Sequence, residues 1–156
     1  MSNTKNKWHA IALVAGILLI AVNLRVPFTS IAPVLPLIQN DFGLSASALG
    51  LLTSLPLLAF AVFSPLSASV ARRFGIEPTL FGALLVISAG ILLRSAGSAW
   101  ALYAGTVLIG TGIALGNVLL PGLIKRDFST KMASMTGAYS ITMGAAGAVG
   151  SAVIIP

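Results

Sequence analysis

The chain has no cysteine, a single histidine (His9) and three carboxylates, Asp41, Glu77 and Asp127. Without cysteine it forms no disulfide and offers no thiolate metal ligand. One histidine at the N-terminal edge does not make a metal site. All three carboxylates fall between apolar runs, so no acidic dyad sits within one, and an intramembrane enzyme would need such a dyad, a nucleophile–base pair or metal ligands. None is visible, and no catalytic residue, metal or cofactor is implied. Charge is scarce altogether: 8% of residues are charged, against about 25% in a soluble domain. Such a chain could not cover a water-facing surface.

What is abundant is apolar. Hydrophobic residues make up 57% of the 156 positions and the mean hydropathy is +1.03, the composition of an integral membrane protein. The net charge of +6 would suggest nucleic acid in a soluble protein. Here the basic residues mark the ends of apolar runs, which is where membrane topology places them, so the partner is the lipid bilayer and no nucleic acid is expected.

Met1 to Lys7 is polar and leads into Trp8 and an apolar run, the pattern of a signal peptide without its small-residue cleavage site; an uncleaved first span fits better. Spans are predicted at about 9–38, 46–71, 79–95, 99–124 and 132–156. Pro27, Pro33 and Pro36 interrupt the first. Unbroken from Trp8 to Ile38 it would be about 45 Å long, longer than the ~30 Å hydrocarbon core, so it should bend or break near the prolines. Loops are expected at Gln39 to Ser45, with Ser45 as a helix N-cap, at Arg72 to Pro78, and at Lys125 to Lys131. With the N-terminus in the cytoplasm, Lys5, Lys7, Arg72, Arg73, Lys125, Arg126 and Lys131 are inside and only Arg94 is outside. Trp8 and Trp100 then anchor opposite interfaces. Five spans ending in an apolar run read as a fragment of a larger protein, with a C-terminal transmembrane half missing; a standalone five-helix adaptor or channel-like subunit is the alternative.

Arg25 is the cation set deepest in an apolar run. An arginine at the centre of a spanning helix costs roughly 2.5–3.5 kcal/mol on insertion scales and marks a functional site by default. Its planar fork of five donors suits a carboxylate or another small anion. The alternative is an arginine that snorkels outward or caps helix carbonyls. Thr29, four residues on, shares its face, while Asn23, Pro27 and Ser30 form an offset stripe. A spacing links two helices: Gly16, Asn23 and Pro27 in the first recur as Gly110, Asn117 and Pro121 in the fourth. Secondary transporters are often built from inverted repeats whose interrupted helices meet at a midplane site, and this echo points at Asn23 and Asn117. An asparagine in lipid also serves as an interhelical hydrogen bond, and both uses stay open. Tyr139 and Ser140 in the fifth span could line a cavity. The glycines of the fourth and fifth spans, with Gly112 and Gly116 forming a GxxxG, predict close helix packing.

The stretch Asn23-Leu-Arg-Val-Pro-Phe-Thr-Ser-Ile-Ala-Pro-Val-Leu-Pro resembles the cyanate-permease and nitroimidazole-exporter branch of the major facilitator superfamily. Gly116-Asn-Val-Leu-Leu-Pro-Gly-Leu-Ile-Lys-Arg-Asp-Phe is similarly characteristic. The resemblance covers the whole chain and implies an all-α bundle, the first five of twelve helices in two six-helix halves. It implies a secondary active transporter in a bacterial cytoplasmic membrane, moving a small anionic, polar or nitro-aromatic solute by alternating access. The substrate-site residues expected on this basis are Arg25, Asn23, Thr29, Asn117 and Tyr139. The superfamily's Gly-x-x-x-Asp-Arg-x-Gly-Arg signature would fall on Ala68 to Ile76. There Arg73 and Gly75 match, whereas Ala68 and Arg72 replace its glycine and aspartate. The helix-four arginine of many proton-coupled members would fall near Val107 and is absent.

Overall fold

The computed structural model describes residues 2–154; the side chains of residues 1–7, His9 and Ile154 are outside the description. The sidedness expected of Lys5 and Lys7, and the end of the fifth run at Ile155 and Pro156, therefore lie outside the described residues. Six α-helices and two 3-10 turns make up the rest: α1 (Ser2–Thr29), α2 (Leu35–Phe42), α3 (Ala46–Phe74), α4 (Ile76–Arg94), α5 (Ala99–Asp127) and α6 (Met132–Ile154), with the turns at Ala32–Val34 and Ser129–Lys131. No strand occurs among the described residues.

Among the described residues, four segments are long and apolar enough to cross a membrane: Ala10–Phe42, Ala46–Phe74, Ile76–Arg94 and Ala99–Asp127. Alanine, glycine, serine and threonine fill much of the 23-residue α6. Large apolar side chains such as Leu85, Leu92, Phe81 and Trp100 stand exposed on the outside of the bundle.

The first run breaks among its prolines, as expected. Pro27 lies inside α1, and the break comes after Thr29, where Pro33 in the 3-10 turn and Pro36 in the first turn of α2 sit at positions that need no backbone amide. Three expected loops are shorter than predicted. Gln39 to Phe42 is helical, and α2 ends in Gly43 at φ +60°. The Arg72 to Pro78 loop shrinks to Gly75, whose φ of +93° lets one residue close α3 and open α4. Lys125 to Asp127 prolongs α5. Ser45 does cap α3, accepting from the Ala48 amide at 3.3 Å, and Ser98 caps α5 through the Ala101 amide at 3.2 Å.

The centre of the bundle is α5. Of its apolar window 56% is buried, against 22%, 17% and 28% in the other three spans. Its partners are read from paired residues. Gly90 of α4 meets Gly105, Ile87 meets Gly112, and Glu77 meets Arg126, so α4 and α5 are antiparallel. Along α3, Ala48 pairs with Tyr103 and Pro56 with Gly110, a parallel arrangement. Leu24 of α1 packs on Gly116 while Ile17 and Ile20 share a groove with Leu123, so α1 runs antiparallel to α5. Finally α6 lies parallel to α1, with Val14 near Met135 and Val26 near Gly150.

Small residues set these distances. A Cβ added to Gly105 would lie 2.5 Å from the Gly90 carbonyl oxygen and 2.6 Å from the Arg94 amide nitrogen; one added to Gly110 would lie 2.8 Å from the Pro56 Cα. The GxxxG glycines serve different neighbours, Gly112 facing Ile87 and Ala83 of α4, Gly116 facing Leu24 of α1. Gly16 and Gly110, matched in the sequence echo, differ in packing: nothing lies within 4 Å of a Cβ added at Gly16. Buried hydroxyls return to their own helices, Thr106 donating to the Leu102 carbonyl at 2.7 Å and Ser67 to that of Phe63 at 2.8 Å.

Overpacking a close helix contact costs about 1–3 kcal/mol. Gly105→Val is therefore expected to lower the thermal midpoint of the detergent-purified full-length protein, while Gly16→Ala leaves it unchanged or slightly raised. Melting curves of the two variants against the wild type check this.

Candidate functional site

Arg25 leaves α1 at its C-terminal third, where the side chain runs over Gly147 of α6. A Cβ at Gly147 would come within 3.1 Å of the Arg25 Cγ and 3.3 Å of its Nε. The small residue is thus what lets the arginine stem lie against α6. Thr29 bonds locally, its Oγ1 donating to the Arg25 and Val26 carbonyls at 3.2 and 3.4 Å, and reaches the Gly147 carbonyl at 3.5 Å. It holds the place where Arg25 crosses to α6.

Two clefts meet at Arg25. One, about 240 Å³, lies between α1, α3 and α5 and is lined by Leu24, Phe28, Pro56, Leu57, Phe60 and Ile113 together with Arg25, Asn117 and Met143. The other, about 330 Å³, lies towards α6 and is lined by Tyr139, Ser140 and Gly144 with the same Arg25, Asn117 and Met143. Arg25, Asn117 and Tyr139 are thereby brought together, from three helices and positions far apart in the chain.

The other two expected residues are placed differently. Asn23 is exposed, lines neither cleft, and donates its side-chain amide to the Leu19 carbonyl of its own helix at 2.9 Å. It is neither an interhelical bridge nor a wall of the clefts, because its position on α1 is turned from the Arg25 face. Thr29 is half-buried at the α1–α6 contact and lines neither cleft.

Arg25 has no ion pair and no side-chain hydrogen bond among the described residues. The carboxylates lie elsewhere. Glu77 at the start of α4 pairs with Arg126 at the end of α5, and Asp127 takes the Arg126 Nε at 2.6 Å. Nor do the Asn117 amide or the Tyr139 hydroxyl have hydrogen-bond partners among the described residues. The shared wall therefore presents a cation, an amide and a phenol with free valences. Pro121 adds to this. It has no amide to give the Asn117 carbonyl four residues before it, as Pro27 has none for Asn23.

Sequence reasoning missed Phe28, Phe60 and Met143 as cleft residues. Phe60 sits in an uninterrupted apolar run, where nothing in composition or period separates a cleft wall from a lipid contact. No group of three or more metal-ligating side chains occurs among the described residues.

Long apolar helices around an open cleft that holds a cation without an ion pair among the described residues define a multi-pass membrane protein. The pattern of the Major Facilitator Superfamily matches residues 13–155, and the chain belongs to that superfamily. It is 62% identical over 148 residues to the 2-nitroimidazole transporter of Escherichia coli (strain K12), covering 95% of this chain and 38% of that protein. The uncharacterized transporter YycB of Bacillus subtilis (strain 168) is 46% identical over 144 residues, 92% of this chain and 36% of the relative. The cyanate transport protein CynX of E. coli (strain K12) is 28% identical over 138 residues, 88% and 36% respectively. The chain thus spans somewhat over a third of the length of these relatives. No solved structure matches it.

Because the segment has no cysteine of its own, single cysteines report on water in the cleft. Asn117→Cys and Ser140→Cys in the full-length protein are expected to react with a membrane-impermeant maleimide at least about tenfold faster than Leu85→Cys, which sits on the apolar outside of α4. Labelling rates by mass spectrometry decide it; equal rates would mean that the clefts are dry.

Proposed function

We propose that this chain forms the first five helices of a six-helix half in a secondary active transporter of the cytoplasmic membrane, with spans at about 9–38, 46–71, 79–95, 99–124 and 132–156. The transporter carries a small anionic, polar or nitro-aromatic solute by alternating access, and Arg25 is the cation of its substrate site. The single observation that supports this most is the Arg25 guanidinium on the shared wall of two open clefts, with no acid beside it among the described residues. A cation set in an apolar helix, with no counter-ion among the described residues, is suited to a ligand that brings negative charge or electron-rich oxygens. Asn117 and Tyr139 add hydrogen-bonding groups on the same wall. Thr29 acts as a positioning residue through the α1–α6 contact, and Asn23 as a helix-local group.

The orientation in this reading puts the N-terminus in the cytoplasm. Arg72, Arg73, Lys125, Arg126 and Lys131 gather at the end of the bundle where α3 passes into α4 and α5 into α6, while Arg94 lies at the other. Such asymmetry favours that end inside.

The names of two relatives supply two probes, 2-nitroimidazole and cyanate. In cells expressing the full-length protein, Arg25→Ala is expected to reduce transport of the solute that is carried by at least about tenfold, with membrane abundance unchanged. Arg25→Lys keeps the charge but loses the planar fork, and an intermediate rate is expected. Wild-type transport by Arg25→Ala would remove Arg25 from the substrate site.

A further inference from the structure

Arg72 and Arg73 stand side by side in the last turn of α3. The superfamily signature has an aspartate followed by an arginine here, and in this chain the aspartate is Arg72. Two adjacent cations thus replace an acid beside a base, and neither has an ion pair among the described residues. Glu77, a few residues on, is held by Arg126. Arg72 donates to the Ser69 hydroxyl of its own helix at 3.0 Å. Arg73 lies over the exposed ring of Phe74, its guanidinium carbon 5.5 Å from the centroid. A cation–π contact of this kind consumes none of its N–H donors.

Phe74 is also a wall of a furrow. Because α3 and α4 both pack on α5 and touch each other little, a space of about 340 Å³ opens between them. It is lined by Val70 and Phe74 of α3, Pro78, Gly82 and Val86 of α4, and Leu115 of α5. Thr79 is its one polar lining residue, and that hydroxyl is spent on the Gly75 carbonyl at 2.6 Å. A Cβ added at Gly82 would meet nothing within 4 Å. From Pro78 to Val86 the furrow runs about 12 Å along α4 at 1.5 Å per residue, close to the roughly 15 Å hydrocarbon depth of one leaflet. It begins at the helix ends that carry the arginines and descends to the middle of the span. A second furrow, between α1 and α4, differs in having the Glu77 carboxylate among its lining residues.

We propose that the α3–α4 furrow binds an anionic glycerophospholipid, with one acyl chain along Phe74, Gly82 and Leu115 and the phosphate held by Arg72 and Arg73 at the mouth. Phosphate oxygens match the guanidinium fork, and basic pockets between spanning helices suit such head groups. Charge complementarity selects the head, and the depth of the furrow suits the chain. A zwitterionic lipid offers the same chains and phosphate, but its ammonium group is repelled by two arginines that no acid neutralises. This site is independent of the solute that the central clefts carry.

The test is native mass spectrometry of the purified, delipidated full-length protein, titrated with phosphatidylglycerol or with phosphatidylethanolamine of identical chains. The wild type is expected to retain one phosphatidylglycerol at least about fivefold more tightly than phosphatidylethanolamine. Arg72→Gln combined with Arg73→Gln is expected to erase that preference. Gly82→Leu, which fills the furrow and leaves both arginines in place, is expected to weaken phosphatidylglycerol several-fold, and it decides the matter if the arginine variant does not accumulate. Gly16→Leu, which fills the α1–α4 furrow instead, is expected to change nothing. Equal retention of the two lipids by the wild type overturns the proposal, as does a preference that survives loss of both arginines. Unchanged retention in Gly82→Leu, or an equal loss in Gly16→Leu, removes the acyl chain from this furrow and overturns it too. A large excess of inorganic phosphate is expected to leave the lipid in place; displacement would make the arginines a site for free phosphate and not for lipid.

Discussion

The approach of α4 to α5 at Gly90 and Gly105 is the contact on which the rest of the bundle depends. The two backbones meet with no side chain between them, since a Cβ on either glycine would strike the carbonyl of the other. In a bilayer, apolar side chains gain little by leaving lipid for one another, so association rests on close packing. Gly112 accepts Ile87 further along the same pair, Gly116 takes Leu24 of α1 a turn beyond it, and Gly110 on another face takes Pro56 of α3. One helix with glycines set against three neighbours thereby places the elements that wall the clefts.

The charge pattern follows a division of labour between the bundle's end and its middle. Of the three carboxylates, Glu77 and Asp127 are both engaged by Arg126 at the end where α4 starts and α5 finishes, and Asp41 lies in α2. Exposed pairs of this kind contribute little to stability; the Glu77–Arg126 pair links the two helices, whereas Asp127 sits beside Arg126 on α5. The middle is left with a cation and no acid among the described residues. Gly147 and Thr29 then act mechanically, the one by giving the arginine stem room on α6 and the other by bonding across the same crossing.

Much of the architecture was legible in the sequence because membrane helices advertise themselves. Apolar length and the Ser45 cap gave the helices, and the glycine content of the fourth and fifth runs announced close packing. Boundaries were less legible. The predicted loops assumed that charged residues end a helix, whereas Arg72, Arg73 and Lys125 to Asp127 continue theirs and Gly75 alone makes the turn. Around the clefts, Arg25, Asn117 and Tyr139 carry a polar signal in an apolar run and could be picked out as candidates. Asn23 carries the same signal, but its amide is spent on the Leu19 carbonyl, a local bond that sequence spacing does not distinguish from a ligand contact. Phe60 and Met143 could not be found at all, because facing a cleft and facing lipid select the same side chains. The repeat of Gly-Asn-Pro spacing was visible too, yet Gly16 and Gly110 occupy unlike surroundings.

The habit of the hydroxyl side chains has a mechanical consequence. Thr53, Ser54, Ser67, Thr79, Ser88, Thr106, Thr111 and Thr142 all donate to carbonyls of their own helix or its cap. Among the described residues, side-chain hydrogen bonds that cross from one helix to another come down to Tyr103 with Ala48, Thr29 with Gly147 and Arg126 with Glu77. A helix that slid along its neighbour would carry nearly all its polar bonds with it. Resistance to such a shift comes from interlocked shape, through the glycine notches of α5 and, on α6, through Gly147 and Gly150, which receive Arg25 and Val26 of α1.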